Sequence, residues 1–315
     1  MLRRQGPTLL VLALLAATAV AFVVAERVKL QESPIRGPEV DPVFSPVCEC
    51  PDHVASVSFL LSRGERLEVG IVDEDNRLIR TLVERRSFPR LHRLEFEWNG
   101  RDGGGRLVPE GIYYPRVRFA DRERTIILPN PIRVDKTPPT ISTEGVRPRV
   151  FSPDGDGRAE GIAVRYGVNE TARALLFVEG TRRVRGKLRA KKSGQLQWYG
   201  RDRSRGLPAG VYRLQLVAHD EAGNISGRVA AGAVRIRYIE LAPRVVRARA
   251  RTTFRVAVDT DARSYEWRYG SRRGVSRGPV LTLQARRAGR YALVVETRDH
   301  RARATVVVTP RRRAR

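Results

Sequence analysis

Two cysteines, one methionine and four histidines are all that 315 residues hold of those three types. Each scarcity excludes some chemistry. Cys48 and Cys50 alone are too few for a structural zinc site, which takes four nitrogen or sulfur ligands. His53, His92, His219 and His300 are scattered, with neither His-x-x-x-His spacing nor a carboxylate at a recognisable interval. No Walker-type phosphate loop is present, and no nucleophile elbow is expected. Aromatic residues make up only 7% of the chain, a thin supply for a sugar-binding row. Lysine is scarce too: of 60 basic residues only 29, 136, 187, 191 and 192 are lysine. No stretch after residue 25 shows a sustained helical period, which predicts an all-β body.

Arginine and charge are what the chain has in excess. The formal net charge is +26. A basic surface of that size suits anionic polymers such as wall polymer, lipid head groups or nucleic acid. A GC-rich genome that pushes codons toward arginine gives the same count without a function. The first 25 residues bear on the choice. Arg3 and Arg4 precede "LLVLALLAATAVAFVVA", Leu9 to Ala25, which carries no charge. Its 17 residues suit a short spanning helix or a long signal-peptide core. Basic residues ahead of it favour a cytoplasmic N-terminus and an exported body. An uncleaved anchor through residues 9–25 is the expectation, with a cleaved signal peptide and a secreted protein as the alternative. Outside the membrane the chain meets envelope polymers and no chromosome, so specific nucleic-acid recognition is not expected.

Behind this segment, residues 26–43 carry Pro34, Pro38 and Pro42 among charges and read as a linker. Thereafter the chain repeats. "FSPVCECPDHVASVSFLLS" from Phe44 lies against "FSPDGDGRAEGIAVRYGVN" from Phe151, and "WNGRDGGGRLVPEGIYY" from Trp98 lies against "WYGRDRSRGLPAGVYR" from Trp198. A repeat of about 100 residues built from short strands and turns has the length of a β-sandwich. The expected domains are 44–135, 136–239 and a diverged 240–310, with a basic tail 311–315: three tandem immunoglobulin-like β-sandwiches after an N-terminal apolar helix.

The repeated phrase reads as scaffolding. Trp98 and Trp198 end short strands and can cover a core. Asp102 and Asp202 are placed to accept backbone N–H groups, and Gly105 and Gly206 can take positive φ. Pro109-x-Gly111 and Pro208-x-Gly210 turn the chain into strands that begin at Tyr113 and Tyr212, where a tyrosine corner is expected. "IVDEDNRLIRTL" followed by "FEWNGRDGGGRLVPEGIYYPRV" resembles the Ig-like domain at the C-terminus of the flagellar hook-capping protein, the FlgD-type Ig-like family. The resemblance covers about 44–128 strongly and 151–230 more loosely, because the second copy reads "EGTRRVRGKL" where the first reads "DEDNRLIRTL". It implies a sandwich fold and an extracytoplasmic interaction role, and brings no catalytic residues.

Two local clusters remain. "SPDGDGRAE" offers Asp154, Asp156 and Glu160 as hard oxygens for Ca²⁺, with Gly155 and Gly157 permitting a tight loop; a plain Asp-Gly turn is the competing reading, and no other cofactor is implied. Cys48 and Cys50 can close a local disulfide, pair between chains or stay free. Residues 240–315 hold 20 arginines against six acids. Arg247, Arg249, Arg251, Arg272, Arg273, Arg311, Arg312 and Arg313 are the candidate contacts for an anionic polymer. The function expected is a non-enzymatic, membrane-anchored Ig-like rod that contacts an anionic envelope polymer or a protein partner. A polysaccharide-binding accessory protein and a cell-surface hydrolase are the alternatives.

Overall fold

The computed structural model describes residues 6–29, 33–51, 53–122, 124–202 and 205–310. The chain opens with one helix, Gly6–Lys29. Its side chains are described from 11 to 22, and every one is exposed. Among the described residues, no helix is long and apolar enough to cross a membrane; twelve described side chains are fewer than the about 20 that a span takes.

Everything else is strand and turn, and the fold is all-β: three immunoglobulin-like sandwiches in tandem. The chain forms two compact units, Met1–Lys136 with one sandwich and Thr137–Arg315 with two. Alternation writes the strands. Thr253–Asp259, "TFRVAVD", buries Phe254, Val256 and Val258 and exposes the residues between, the two-residue period of a strand with one face in a core.

Each sandwich repeats one topology. In the first, Ile35–Val40, Ala55–Leu61 and His92–Trp98 form a three-stranded sheet. The facing sheet runs Val43–Phe44, Ile132–Val134, Gly111–Phe119, Glu65–Asp73, Leu78–Phe88. The second pairs Ile141–Arg147, Ile162–Val168 and Ser193–Trp198 against a five-stranded sheet, and the third does the same with Glu240–Ala242, Thr253–Asp259 and Val280–Gln284. In all three, a short strand near the start joins the last strand in parallel while the other pairs are antiparallel.

The expected linker 26–43 is corrected here. Ile35–Val40 is a sheet edge paired with Ala55–Leu61, and Ile35 is buried. Pro38 is tolerated because it sits at an edge where the register slips between Arg36 and Glu39, so no ladder N–H is missed.

The repeated phrase closes each core. Phe44 packs tilted on Trp98 and Tyr113 meets it edge to face, at centroid distances of 5.6 and 5.1 Å, and Phe151 and Tyr212 both meet Trp198 edge to face at 5.6 and 6.1 Å. Trp98 and Trp198 are 1% and 3% exposed. The Phe-Ser-Pro and Trp-x-Gly phrases recur together because they pack on one another. A Cβ on Gly100 would stand 2.7 Å from Pro46, and one on Gly200 would stand 2.6 Å from the Phe151 ring. Tyr113 donates its hydroxyl to the Pro109 carbonyl at 3.0 Å, and Tyr212 donates to Pro208 at 2.8 Å. The third sandwich has the same corner, Tyr291 donating to Arg287 at 3.0 Å. There Tyr269, from a different strand, stands in for the tryptophan, 5.4 Å from Phe254 and 5.6 Å from Tyr291.

The loop between Trp and Tyr differs between copies. The Asp102 carboxylate accepts the backbone N–H groups of Gly104 and Arg106, both at 2.9 Å, and the Arg106 guanidinium at 3.1 Å. Asp202 pairs with Arg183 at 2.8 Å, and residues 203 and 204 lie outside the described residues. Gly105 has φ +79°, but Gly206 is extended backbone. Glycine is required at 206 by proximity, since a Cβ would come within 2.8 Å of the Tyr238 hydroxyl.

Within the second unit only residues 237–239 separate the last strand of one sandwich from the first of the next. The seam is packed. Tyr238 and Ile239 are buried, Tyr238 stacks on His300 at 3.5 Å, and Thr260 donates to the Tyr238 carbonyl at 2.9 Å. Arg237 pairs with Asp259.

Two outcomes follow. Trp98→Ala removes a buried indole that no neighbour can replace, and equilibrium denaturation is expected to show a loss of about 3–5 kcal/mol in the first sandwich; a loss below about 1 kcal/mol contradicts a clamp. The Asp102 carboxyl is held below the usual carboxylate range, chiefly by the Arg106 backbone N–H, against an opposing effect of partial burial. Its folded pKa lies below the unfolded one, so its contribution is full above the unfolded value of about 4 and is lost as pH falls through the folded value. The stability gap between the wild type and Asp102→Asn is therefore expected to narrow as pH falls from about 5 to 2; a constant gap contradicts the assignment.

Candidate functional site

The third sandwich places its arginines by register. In its five-stranded sheet Val246, Tyr265, Tyr269, Leu293, Val295, Val306 and Val308 face the core. The alternating positions face out, and many are arginine. Arg273 lies opposite Arg268, Arg268 opposite Val294, and Val294 opposite Arg303, one row across four strands. Arg290 and Arg247 flank Val307 in a second row, with Arg249 two residues further along its strand. Arg301 adds a third position, opposite Glu296. Neighbouring strands stand about 4.8 Å apart, so these guanidinium groups share one continuous face. All seven arginines are exposed, and none forms a salt bridge with another described residue. Glu266 and Glu296 are the acids of that face.

In the first two sandwiches several arginines are neutralised locally. Arg66 meets Asp121 at 2.6 Å, Arg116 meets Glu68 at 2.8 Å, Arg133 meets Asp135 at 2.9 Å and Arg183 meets Asp202 at 2.8 Å.

Of the candidate contacts read from the sequence, Arg247, Arg249 and Arg273 lie on this face. Arg272 pairs with the core-facing Tyr269 and so projects to the other side at the sheet edge. Arg251 is exposed in the turn after Val245–Arg249. Arg311, Arg312 and Arg313 lie outside the described residues. Arg268, Arg290, Arg301 and Arg303 were not singled out from the sequence, although the alternation of "SYEWRY", "GRYALVVET" and "HRARATVVVT" carries the signal.

The acidic loop is a second locus. Asp154, Asp156 and Glu160 each bring an oxygen within 4.8 Å of the others. Burial pushes the Asp154 carboxyl above its usual range, and the charges of Asp156 and Glu160 add to the rise. Burial also raises Asp261, in the third sandwich, helped by Asp154 and Asp156. In the first sandwich the corresponding place holds Cys48 and Cys50, joined in a disulfide with Cα atoms 5.2 Å apart.

Gly274-Val275-Ser276-Arg277-Gly278 spells the letters of a nucleophile elbow, contrary to the expectation from sequence. The structure gives it another role. Ser276 ends a strand rather than leading into a helix, and its hydroxyl accepts the Trp267 indole N–H at 3.1 Å. Trp267 is half-buried against the core, and Tyr199, 57% exposed, is the one strongly exposed aromatic among the described residues of the sandwiches. A stacking row for sugar rings needs several.

Neither a family model nor a curated protein matches this chain. Solved structures similar to it include the fibronectin(III)-like modules of Clostridium thermocellum CbhA, 14% identical over 64% of this chain and 91% of that one, with a TM-score of 0.35. The BSP domain of a biofilm associated protein is 13% identical over 63% of this chain and 30% of that one, with a TM-score of 0.22. The four N-terminal Ig domains of Dscam1 isoform 4.44 are 13% identical over 89% and 74%, with a TM-score of 0.21. At such TM-scores the fold assignment rests on the strand order and the three cores, and these likenesses add no function.

Proposed function

We propose that this chain is a non-enzymatic, extracytoplasmic adhesion protein that holds an anionic polymer of the cell envelope against the outer face of its third sandwich. One observation carries the reading: seven arginines share a sheet face with two acids and form no salt bridge with another described residue, whereas several arginines of the first two sandwiches are neutralised one by one. A purely compositional excess would be spread and paired alike. A flat, regular array of guanidinium groups suits a repeating polyanion, because many weak contacts add along the polymer and each arginine binds phosphate or carboxylate in a forked geometry.

The N-terminal helix supports a membrane-proximal location. Its described side chains, 11 to 22, are all exposed, as those of a segment meant for lipid would be, and Leu9–Ala25 is uncharged. The FlgD-type resemblance of residues 44–128 fits the same interaction role. Sandwiches stabilised by their own cores leave their outer faces free for contact.

Heparin, a model polyanion, tests the contact. The wild type is expected to elute from a heparin column at clearly higher salt than the variant Arg247→Ser/Arg268→Ser/Arg273→Ser/Arg303→Ser, because attraction between exposed charges is screened by salt. Elution of both at the same salt contradicts the assignment of the face. N-terminal sequencing of membrane-associated protein tests the anchor: residues 1–25 are retained if it holds, and a start beyond Ala21 or Ala25 shows cleavage.

A further inference from the structure

We propose that the Cys48–Cys50 disulfide is a thiol-exchange site: it opens and re-forms by reaction with thiols outside the chain, and does not brace the first sandwich. This goes beyond the polyanion contact, lies in a different sandwich and does not depend on it. The bond closes a loop with one residue, Glu49, between its ends. What a disulfide adds to stability comes mainly from the chain freedom it removes from the unfolded state, and that grows with the length of the loop it closes. A loop of one residue stands at the bottom of that scale.

The fold holds this loop without the bond. The connection, residues 45–54, runs from Val43–Phe44 to Ala55–Leu61. Its entry is fixed by Phe44 and Ser45, both buried, and by Pro46, which packs against Gly100. Its exit is fixed by the buried Ala55. Between them the Cys48 N–H donates to the Ser45 carbonyl at 3.4 Å, and Nδ1 of His53 lies 2.9 Å from the Cys50 carbonyl oxygen. The other sandwiches make the same connection without cysteine. Residues 152–161 do so with Asp154, Asp156 and Glu160 accepting backbone N–H groups. Residues 250–252 do so with a tight turn, the Thr252 N–H donating to the Arg249 carbonyl at 3.1 Å.

Stability and reducibility are two sides of one thermodynamic cycle: a fold protects a disulfide from reduction by as much as the disulfide stabilises the fold. A bond that adds little to the sandwich is therefore reduced about as easily as one in a short peptide, and accessible disulfides are the labile ones. Cys48 and Cys50 are half-buried, and Val47, Glu49 and Pro51 around them are exposed, so a thiolate has a path to the sulfurs. In the exchange a thiolate attacks one sulfur of the pair, the S–S bond breaks, and the other cysteine leaves as a thiolate. A second thiolate attacks the sulfur that the first one brought, releasing the remaining cysteine thiolate and an external disulfide. The pair gains two electrons, the two thiols lose them, and the reverse sequence re-forms the bond. The chain holds no other cysteine, so each released thiol meets only its neighbour or an outside partner.

Intact mass after alkylation tests this on the full chain. Equilibrated with millimolar reduced glutathione, the native wild type is expected to take up two alkyl groups, as many as in denaturant, and to take up none when oxidised glutathione is in excess. A reduced cysteine-containing peptide in place of glutathione separates a protein thiol from a small one as the partner, the faster reaction naming the source. Cys48→Ser/Cys50→Ser is expected to keep every melting transition within about 4 °C of the oxidised wild type, a smaller shift than the loss of a bracing bond gives in a domain of this size. A native pair that stays closed to both thiols, or a larger fall in any transition of the variant, would overturn the proposal.

Discussion

The contact between a buried indole and the tyrosine that follows it about 15 residues later is what the rest of the molecule depends on. Trp98 and Trp198 plug the end of a core where the two sheets would otherwise admit water, and Tyr113 and Tyr212 press on them edge to face. The tyrosine hydroxyl then returns to the carbonyl four residues back, so ring packing and a net hydrogen bond of about 1 kcal/mol fix the same turn. The phenylalanine of Phe-Ser-Pro completes the cluster from the opposite sheet edge. A phrase written twice in the sequence is thus three strands agreeing on where a core ends. The third sandwich keeps the hydroxyl bond at Tyr291 and replaces the indole with Tyr269, which shows which half of the device tolerates change.

Because each core is sealed from within, the outer faces are free to differ. In the first and second sandwiches several arginines meet aspartates and glutamates across neighbouring strands or loops. In the third they alternate with core valines along strands that have few acids to offer, and register lines them into rows. Charge that as a count says nothing of its place becomes a surface through strand alternation. In the acidic loop the three carboxylates are fixed by their own backbone N–H groups.

Period and repetition made the fold legible. "TFRVAVD" can only be a one-sided strand, and the two Trp-to-Tyr phrases announce two copies of one unit. Composition misled at residues 26–43, where three prolines suggested a linker; an edge strand with a slipped register accommodates Pro38, and one sequence does not show which strand lies at an edge. The role of Gly206 was hidden for a similar reason, since its constraint is the hydroxyl of Tyr238, 32 residues on. The basic face was half legible: clustering pointed to Arg247, Arg249 and Arg273, but pairing partners decide that Arg272 faces away and that Arg268 and Arg303 join the row.

Tryptophan fluorescence with iodide as quencher addresses the central claim most directly, since the chain has three tryptophans and two are assigned to sealed cores. The account predicts emission shifted to the blue, with most of the signal untouched by iodide and a minor quenchable fraction from the half-buried Trp267. Emission near that of free indole, quenched throughout in the folded protein, would contradict it: the repeated phrase would then line an open surface and not close a core.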